Sequence, residues 1–150
     1  MIKEFKGDYR WLSNFWPVEI AYDGLRYPSV EHAYQASKTI DPLVRERFAY
    51  GGFKAGQIKK MGKDLELRYD WNIVKIPVMR DLLHEKFKHP ELREKLIATE
   101  NSELIEGNYW GDTFWGVCDG IGENHLGKLL MEIRSFLCAY SDVRSPNAKS

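Results

Sequence analysis

A chain of 150 residues with 22 basic and 22 acidic side chains has no net charge to set against a phosphate backbone, which excludes a protein that lives by non-specific DNA binding. Its length suits one compact domain, able to bury a core without metal or disulfide staples. No stretch approaches the roughly 18 apolar residues of a membrane span, MIKEFKGDYR lacks the apolar centre of a signal peptide, and Cys118 and Cys138 stand alone, so we expect a cytoplasmic protein with reduced thiols and no membrane partner.

Phe5 to Tyr27 reads as short extended pieces. In VEIAYDGLRY, alternating apolar residues flank Asp23-Gly24, the signature of a type I′ hairpin. Pro28-Ser29 then opens a helix, with Ser29 as the N-cap. That start puts Glu31 in the first turn and sets Glu31, Gln35 and Lys38 at i, i+4 and i+7 on one face. A second helix runs from near Pro42 through VRERFAY, stopped by Gly51-Gly52. A short helix follows over Lys54 to Met61, ended by Gly62. From Trp71 to Phe87 the pattern is helical, and Pro77 either opens that helix or kinks it. Glu91 to Thr99 gives a further helix, with Pro90 in its first turn.

The segment NYWGDTFWGVCDGIGEN has no clear period and reads as a long structured loop, of the kind that usually carries function. Leu126, Leu129, Leu130, Ile133 and Leu137 form the apolar stripe of a final helix. SDVRSPNAKS is polar and reads as a frayed tail. The fold expected is α+β, predominantly helical, with a small antiparallel β element. One domain covers residues 1–140, with a flexible tail over 141–150.

Two acidic residues stand out by their surroundings. Glu31 lies at a helix start, where the dipole favours its ionised form and burial opposes it. The plain alternative is that Glu31 only supports the helix, since first-turn glutamates are commonplace. Asp112 follows Tyr109-Trp110-Gly111 in the glycine-aromatic loop. The five tryptophans, Trp11, Trp16, Trp71, Trp110 and Trp115, lie in or beside loops and element ends. Some must be core, yet an indole beside glycine suits stacking on a planar base. CDGIGENHLG does not match the dinucleotide fingerprint, because His125 stands where the last glycine belongs. Glycines before Asn124 could still present N–H groups to a phosphate, and a turn with Asn124 as helix cap is the equal alternative. Of the basic cluster Lys54, Lys59, Lys60, Lys63 and Arg68, most read as a solvated face, with one or two able to hold a phosphate. His32, His84, His89 and His125 have no paired-ligand spacing, so neither metal nor cofactor is expected.

LSNFWP (Leu12 to Pro17), SVEHAYQASK (Ser29 to Lys38), MGK…RYDW…VM (Met61 to Met79), YWGD (Tyr109 to Asp112) and GENHLGKLLMEIR (Gly122 to Arg134) occur in that order. Together they resemble the NADAR, or YbiA-like, family over nearly the whole chain, from about Phe5 to Leu137. The chain departs from the family pattern at Lys63, where arginine is expected, and in the longer, less basic run TFWGVCDGIGEN. The resemblance implies an N-glycosidase that hydrolyses a C1′–N bond, either in a ribosylaminopyrimidine phosphate of the riboflavin pathway or in an ADP-ribosylated guanine. It implies Glu31 as principal catalytic carboxylate and Asp112 as its partner. Substrate contacts would come from Ser13, Asn14, Phe15, Gln35, Lys38, Trp71, Trp110, Gly111 and Asn124. The partners implied are a small nucleotide or an ADP-ribosylated base, with transient contact to modified nucleic acid. The rival reading is a non-catalytic module that binds ADP-ribose or a nucleotide.

Overall fold

The computed structural model describes residues 1–148, with side chains described through residue 140; of the tail expected over 141–150, the backbone through Ala148 belongs to the final helix, and residues 149–150 lie outside the described ones. The chain is α+β and predominantly helical. It divides into two units, one formed by Leu12–Lys86 and one by Met1–Trp11 together with Phe87–Ser150. Among the described residues no helix is long and apolar enough to cross a membrane.

The Leu12–Lys86 unit opens with the hairpin. Strands β1 (Ile20–Tyr22) and β2 (Leu25–Tyr27) pair antiparallel, with Tyr22 opposite Leu25. The turn between them holds Asp23 at φ 50° and Gly24 at φ 84°, the left-handed pair that a type I′ turn requires. Helix α1 (Val30–Ala36) is buried along its whole length. Its cap is Ser29, whose hydroxyl oxygen accepts from the His32 N–H at 3.2 Å. The His32 ring continues that cap. Nε2 lies 2.6 Å from the Phe53 carbonyl, which can only accept, so in the neutral ring Nε2 carries the hydrogen. Nδ1 then accepts from the Ser29 hydroxyl at 2.7 Å. One serine and one histidine thus join the start of α1 to the segment after α2.

Helix α2 (Pro42–Tyr50) is capped by Asp41, whose carboxylate accepts from the Leu43 N–H. Helix α3 (Ala55–Gly62) differs from expectation in what Gly62 does. Gly62 is its last helical residue, and Lys63 beyond it keeps right-handed torsions, so Gly62 is no left-handed stop. A Cβ on it would sit 1.9 Å from Gln35 Oε1. At this close approach of α1 and α3, any side chain at position 62 would displace the Gln35 amide. Helix α4 (Trp71–Lys86) runs unbroken through Pro77. Pro77 and Ile73, four residues back, are both exposed, so the carbonyl left without a donor sits on the wet side of the helix, where its loss costs least.

Before the hairpin, Gly7–Leu12 forms a 3₁₀ helix where extended backbone was expected. The reason is burial: Trp11 and Leu12 are neighbours and both face inward, which a strand cannot arrange because successive side chains point oppositely. In the other unit, helix α5 (Pro90–Ala98) packs with α6 (His125–Ala148). Leu126, Leu129, Leu130, Ile133 and Leu137 are all buried, as the stripe foretold. Arg134 on the same helix donates to Thr99 Oγ1 at 2.9 Å. Beyond the hairpin a second pairing appears. Strands β3 (Gly107–Asn108) and β4 (Val117–Cys118) run parallel. Ile2 is held beside Leu104, its N–H donating to Glu103 O at 2.8 Å and its carbonyl accepting from Ile105 at 2.9 Å.

Candidate active site

The cluster in the Leu12–Lys86 unit is centred on Glu31. Its carboxylate is buried, 7% exposed, in the first turn of α1. One turn further, the Gln35 amide donates to Glu31 Oε1 at 2.8 Å. This bond fixes which way the amide faces, leaving Gln35 Oε1 toward Gly62, buried and without a hydrogen-bond partner. Lys38 lies two residues beyond α1, its N–H donating to the Gln35 carbonyl at 3.2 Å. Its ammonium lies 5.6 Å from the Tyr34 ring centroid. Burial holds the Lys38 pKa below its ordinary value; Glu31 opposes that shift, while Lys59 and Lys63 add to it.

The LSNF turn is fastened to this carboxylate through the backbone. The Glu31 N–H donates to the Asn14 carbonyl at 3.0 Å. Asn14 Nδ2 faces Met79 Sδ at 3.6 Å, and Asn14 Oδ1 is buried without a partner. Ser13 Oγ accepts from the Phe15 N–H at 3.1 Å, and the Phe15 ring is exposed, with the Lys59 ammonium 5.8 Å from its centroid. Trp71 is buried at the start of α4, its ring 5.3 Å from that of Tyr34. Glu31, Gln35, Lys38, Ser13, Asn14, Phe15 and Trp71 therefore gather within one unit.

Sequence reasoning missed one member. Lys86, the last residue of α4, is fully buried and donates to the Ser13 carbonyl at 2.8 Å. Desolvation pushes its pKa down to about 7. The signal was present in the periodicity: Met79, Leu82, Leu83 and Lys86 share one helical face, and the first three are core. A lysine at the next position of a core stripe must be buried with its donor satisfied.

Trp110, Gly111, Asp112 and Asn124 belong to the other unit. Trp110 is 46% exposed and meets Tyr109 edge to face at 5.2 Å; the Lys6 ammonium lies 4.9 Å from the Tyr109 centroid. Gly111 is exposed with φ 88°. Asp112 is clamped by Asn108, which donates to its carbonyl at 2.8 Å and accepts from its N–H at 3.0 Å. Asp112 Oδ1 in turn accepts from the N–H groups of Phe114 and Trp115 at 3.1 and 2.9 Å. Asn124, with φ 53°, is buried and joins two backbone segments. It accepts from the Glu106 N–H and donates to the Leu104 carbonyl, both at 3.0 Å. Among the described residues no group of three His, Cys, Asp or Glu side chains could hold a metal ion.

A buried carboxylate oriented by an amide and close to an ammonium is equipped to stabilise positive charge on a sugar or to take a proton from water. The family model for the NADAR domain matches residues 2–138. The chain belongs to the NADAR family. Its NADAR relatives include N-glycosidase YbiA of Escherichia coli, 40% identical over 139 residues that make up 87% of this chain and 82% of that protein. Riboflavin biosynthesis protein VVA0006 of Vibrio vulnificus is 36% identical over 134 residues, and the chain spans only 36% of its length. The NMR structure of Escherichia coli YbiA superposes with a TM-score of 0.82 at 36% identity, covering 94% of this chain and 89% of that one. That likeness agrees with the α+β, mainly helical fold described above.

Proposed function

We propose that this NADAR domain is a cytoplasmic N-glycosidase, hydrolysing the C1′–N bond between a ribose and a nitrogenous base without metal or cofactor. The observation that carries the reading is Glu31, a carboxylate 7% exposed and aimed by the Gln35 amide, in a chain that aligns along most of its length with a protein named as an N-glycosidase. As the C1′–N bond breaks, its electron pair leaves with the base and C1′ becomes positively charged. Glu31 stabilises that charge and takes a proton from the water that attacks C1′. The base leaves with a proton supplied by an acid. Asp112 is the carboxylate proposed as partner, and with Oδ1 bound to two backbone N–H groups, Oδ2 is the atom that would act. Phe15, Trp71 and Trp110 are the rings assigned to the sugar and base. The substrates proposed are a ribosylaminopyrimidine phosphate or an ADP-ribosylated guanine, the latter free or in nucleic acid.

The test is release of free base from both compounds, by wild type and by Glu31→Gln. Glutamine is nearly isosteric and keeps an oxygen for Gln35, so binding and fold should persist. The rate should fall by about 10²–10⁴, the usual cost of a positioned acid or base, with a much smaller change in the substrate dissociation constant. A folded Glu31→Gln protein with full turnover would overturn the mechanism. Tight binding of ADP-ribose with no base released from either compound would favour the non-catalytic binder.

A further inference from the structure

We propose that Lys86 is a positioning residue for Glu31, holding from the end of α4 the turn to which the start of α1 is hydrogen-bonded. The role rests on the N-glycosidase reading for what Glu31 does. How Glu31 is placed rests on hydrogen bonds inside the Leu12–Lys86 unit.

Lys86 is fully buried, so it meets no substrate and acts only through its neighbours. Its ammonium donates to the Ser13 carbonyl at 2.8 Å. The same carbonyl accepts from the Trp16 N–H at 3.1 Å, which closes the turn over residues 13–16. A carbonyl oxygen has two lone pairs, and here each faces a donor, which fixes the Ser13–Asn14 peptide in direction as well as place. The next carbonyl, that of Asn14, accepts from the Glu31 N–H at 3.0 Å. That N–H lies in the first turn of α1, where the helix itself offers no acceptor. The turn supplies it. Met79, two turns before Lys86 on the same face of α4, adds a second hold, its Sδ accepting from Asn14 Nδ2 at 3.6 Å. Helix α4 thus grips both residues that lead to Glu31.

Packing alone does not call for a lysine here. Met79, Leu82 and Leu83 carry one buried apolar face up to position 86, where methionine would fill much the same space. An ammonium at that point gives up its hydration. Burial alone lowers its pKa to about 7, with no titratable side chain on any packed element adding to the shift. The residue therefore weakens the fold below pH 10.5, most of all below about 7. It supplies a charged donor, whose hydrogen bond to a carbonyl is roughly twice as strong as a neutral one. Stability given up for placement is the mark of a residue kept for activity.

Two measurements on wild type and Lys86→Met separate placement from packing. The first follows kcat and KM for base release between about pH 6 and pH 9. Near pH 6 the variant should lose about 10- to 100-fold in kcat, as for a displaced catalytic group, with KM changed by less than about threefold. As pH rises through about 7 the Lys86 ammonium loses its charge, and the ratio of wild-type to variant rate should shrink. Over the same interval wild type gains stability on the variant, so rate advantage and relative stability move in opposite directions. A packing role leaves the rate ratio flat. The second measurement is amide hydrogen exchange of Glu31 relative to Ala33, whose N–H is bound to the Ser29 carbonyl at 3.3 Å. In Lys86→Met the Glu31 amide should exchange about tenfold faster on that scale. Wild type alone should show the same trend as pH rises through about 7, so the test survives a variant that does not fold. A rate ratio indifferent to pH, or Glu31 protection unchanged in the folded variant, overturns the role. A protein that releases base from neither compound yet shows the exchange response keeps the positioning role and loses the proposed function. One that hydrolyses N-glycosides as fast with Lys86→Met as without keeps the function and loses the role.

Discussion

Burial takes the Lys86 ammonium out of water, and its pKa falls from 10.5 to about 7. Between those values the unfolded chain binds more protons at this residue than the folded one, so stability rises with pH across the interval. Above pH 10.5 the neutral amine incurs no charge penalty; as pH falls through about 7 the penalty becomes complete. Lys86→Met removes the charge while keeping most of the volume. Denaturation of both proteins at about pH 7 and pH 9.5 should show wild type gaining on the variant at the higher pH. A difference indifferent to pH would contradict the assignment. The interval stops short of Tyr27, which burial pushes up to about 12 and whose stabilising contribution is lost only above pH 10. Because Lys86 holds the Ser13 carbonyl, and Asn14 holds the Glu31 N–H, the variant should also turn over more slowly. Trp110 raises a different question of binding against stability. With its ring 46% exposed, Trp110→Ala should cost well under the roughly 3–5 kcal/mol of a buried truncation. Substrate binding should weaken by about 1–3 kcal/mol, the worth of an aromatic stack on a base. Comparing denaturation midpoints with binding isotherms checks both.

Among the elements, the contact between α3 and α1 is the most demanding. Gly62→Ala gains up to about 1 kcal/mol of helix propensity and loses about 1–3 to overpacking. The atom that must move is the end of a flexible side chain, Gln35 Oε1, so the net change in stability should be small. The displaced amide no longer aims Glu31, and the rate should fall by up to about 10²-fold, as for a misplaced catalytic group. A normal rate in the folded variant would show that Gln35 does not orient the carboxylate. The elements legible in the sequence are those whose cause is local. Asp23-Gly24 dictates its turn, Ser29 caps α1, and the leucine stripe defines α6. Those that were not legible have distant causes. Gly62 answers to a residue on another helix, and β3 and β4 are two-residue strands whose pairing is set by tertiary packing. The 3₁₀ helix follows from the joint burial of Trp11 and Leu12. For the site, spacing alone put Glu31 and Gln35 on one face, whereas the tie from Lys86 to Ser13 spans 73 positions and leaves only the faint mark of a lysine on a core stripe.

At the scale of the molecule, one NADAR domain matches residues 2–138 and so includes both units. With no paired histidine ligands in the sequence, turnover should survive chelation; loss in EDTA with recovery on adding a divalent ion would reverse that expectation. The two units differ in how the chain supplies them. Leu12–Lys86 is one continuous stretch, whereas its counterpart needs Met1–Trp11 and the residues from Phe87 onward. Ile2 docks beside Leu104 through bonds to Glu103 and Ile105, which closes a loop of about 100 residues at an entropic cost of about 4 kcal/mol. During synthesis the first segment must wait until the last third of the chain has been made, while the inserted stretch is one continuous run of chain. Docking of Ile2 is therefore a late folding event. Ile2→Ala, at a position only 7% exposed, should speed unfolding and leave the folding rate nearly unchanged in a denaturant-jump experiment. Equal and opposite changes in the two rates would instead place the amino-terminal segment in the folding nucleus.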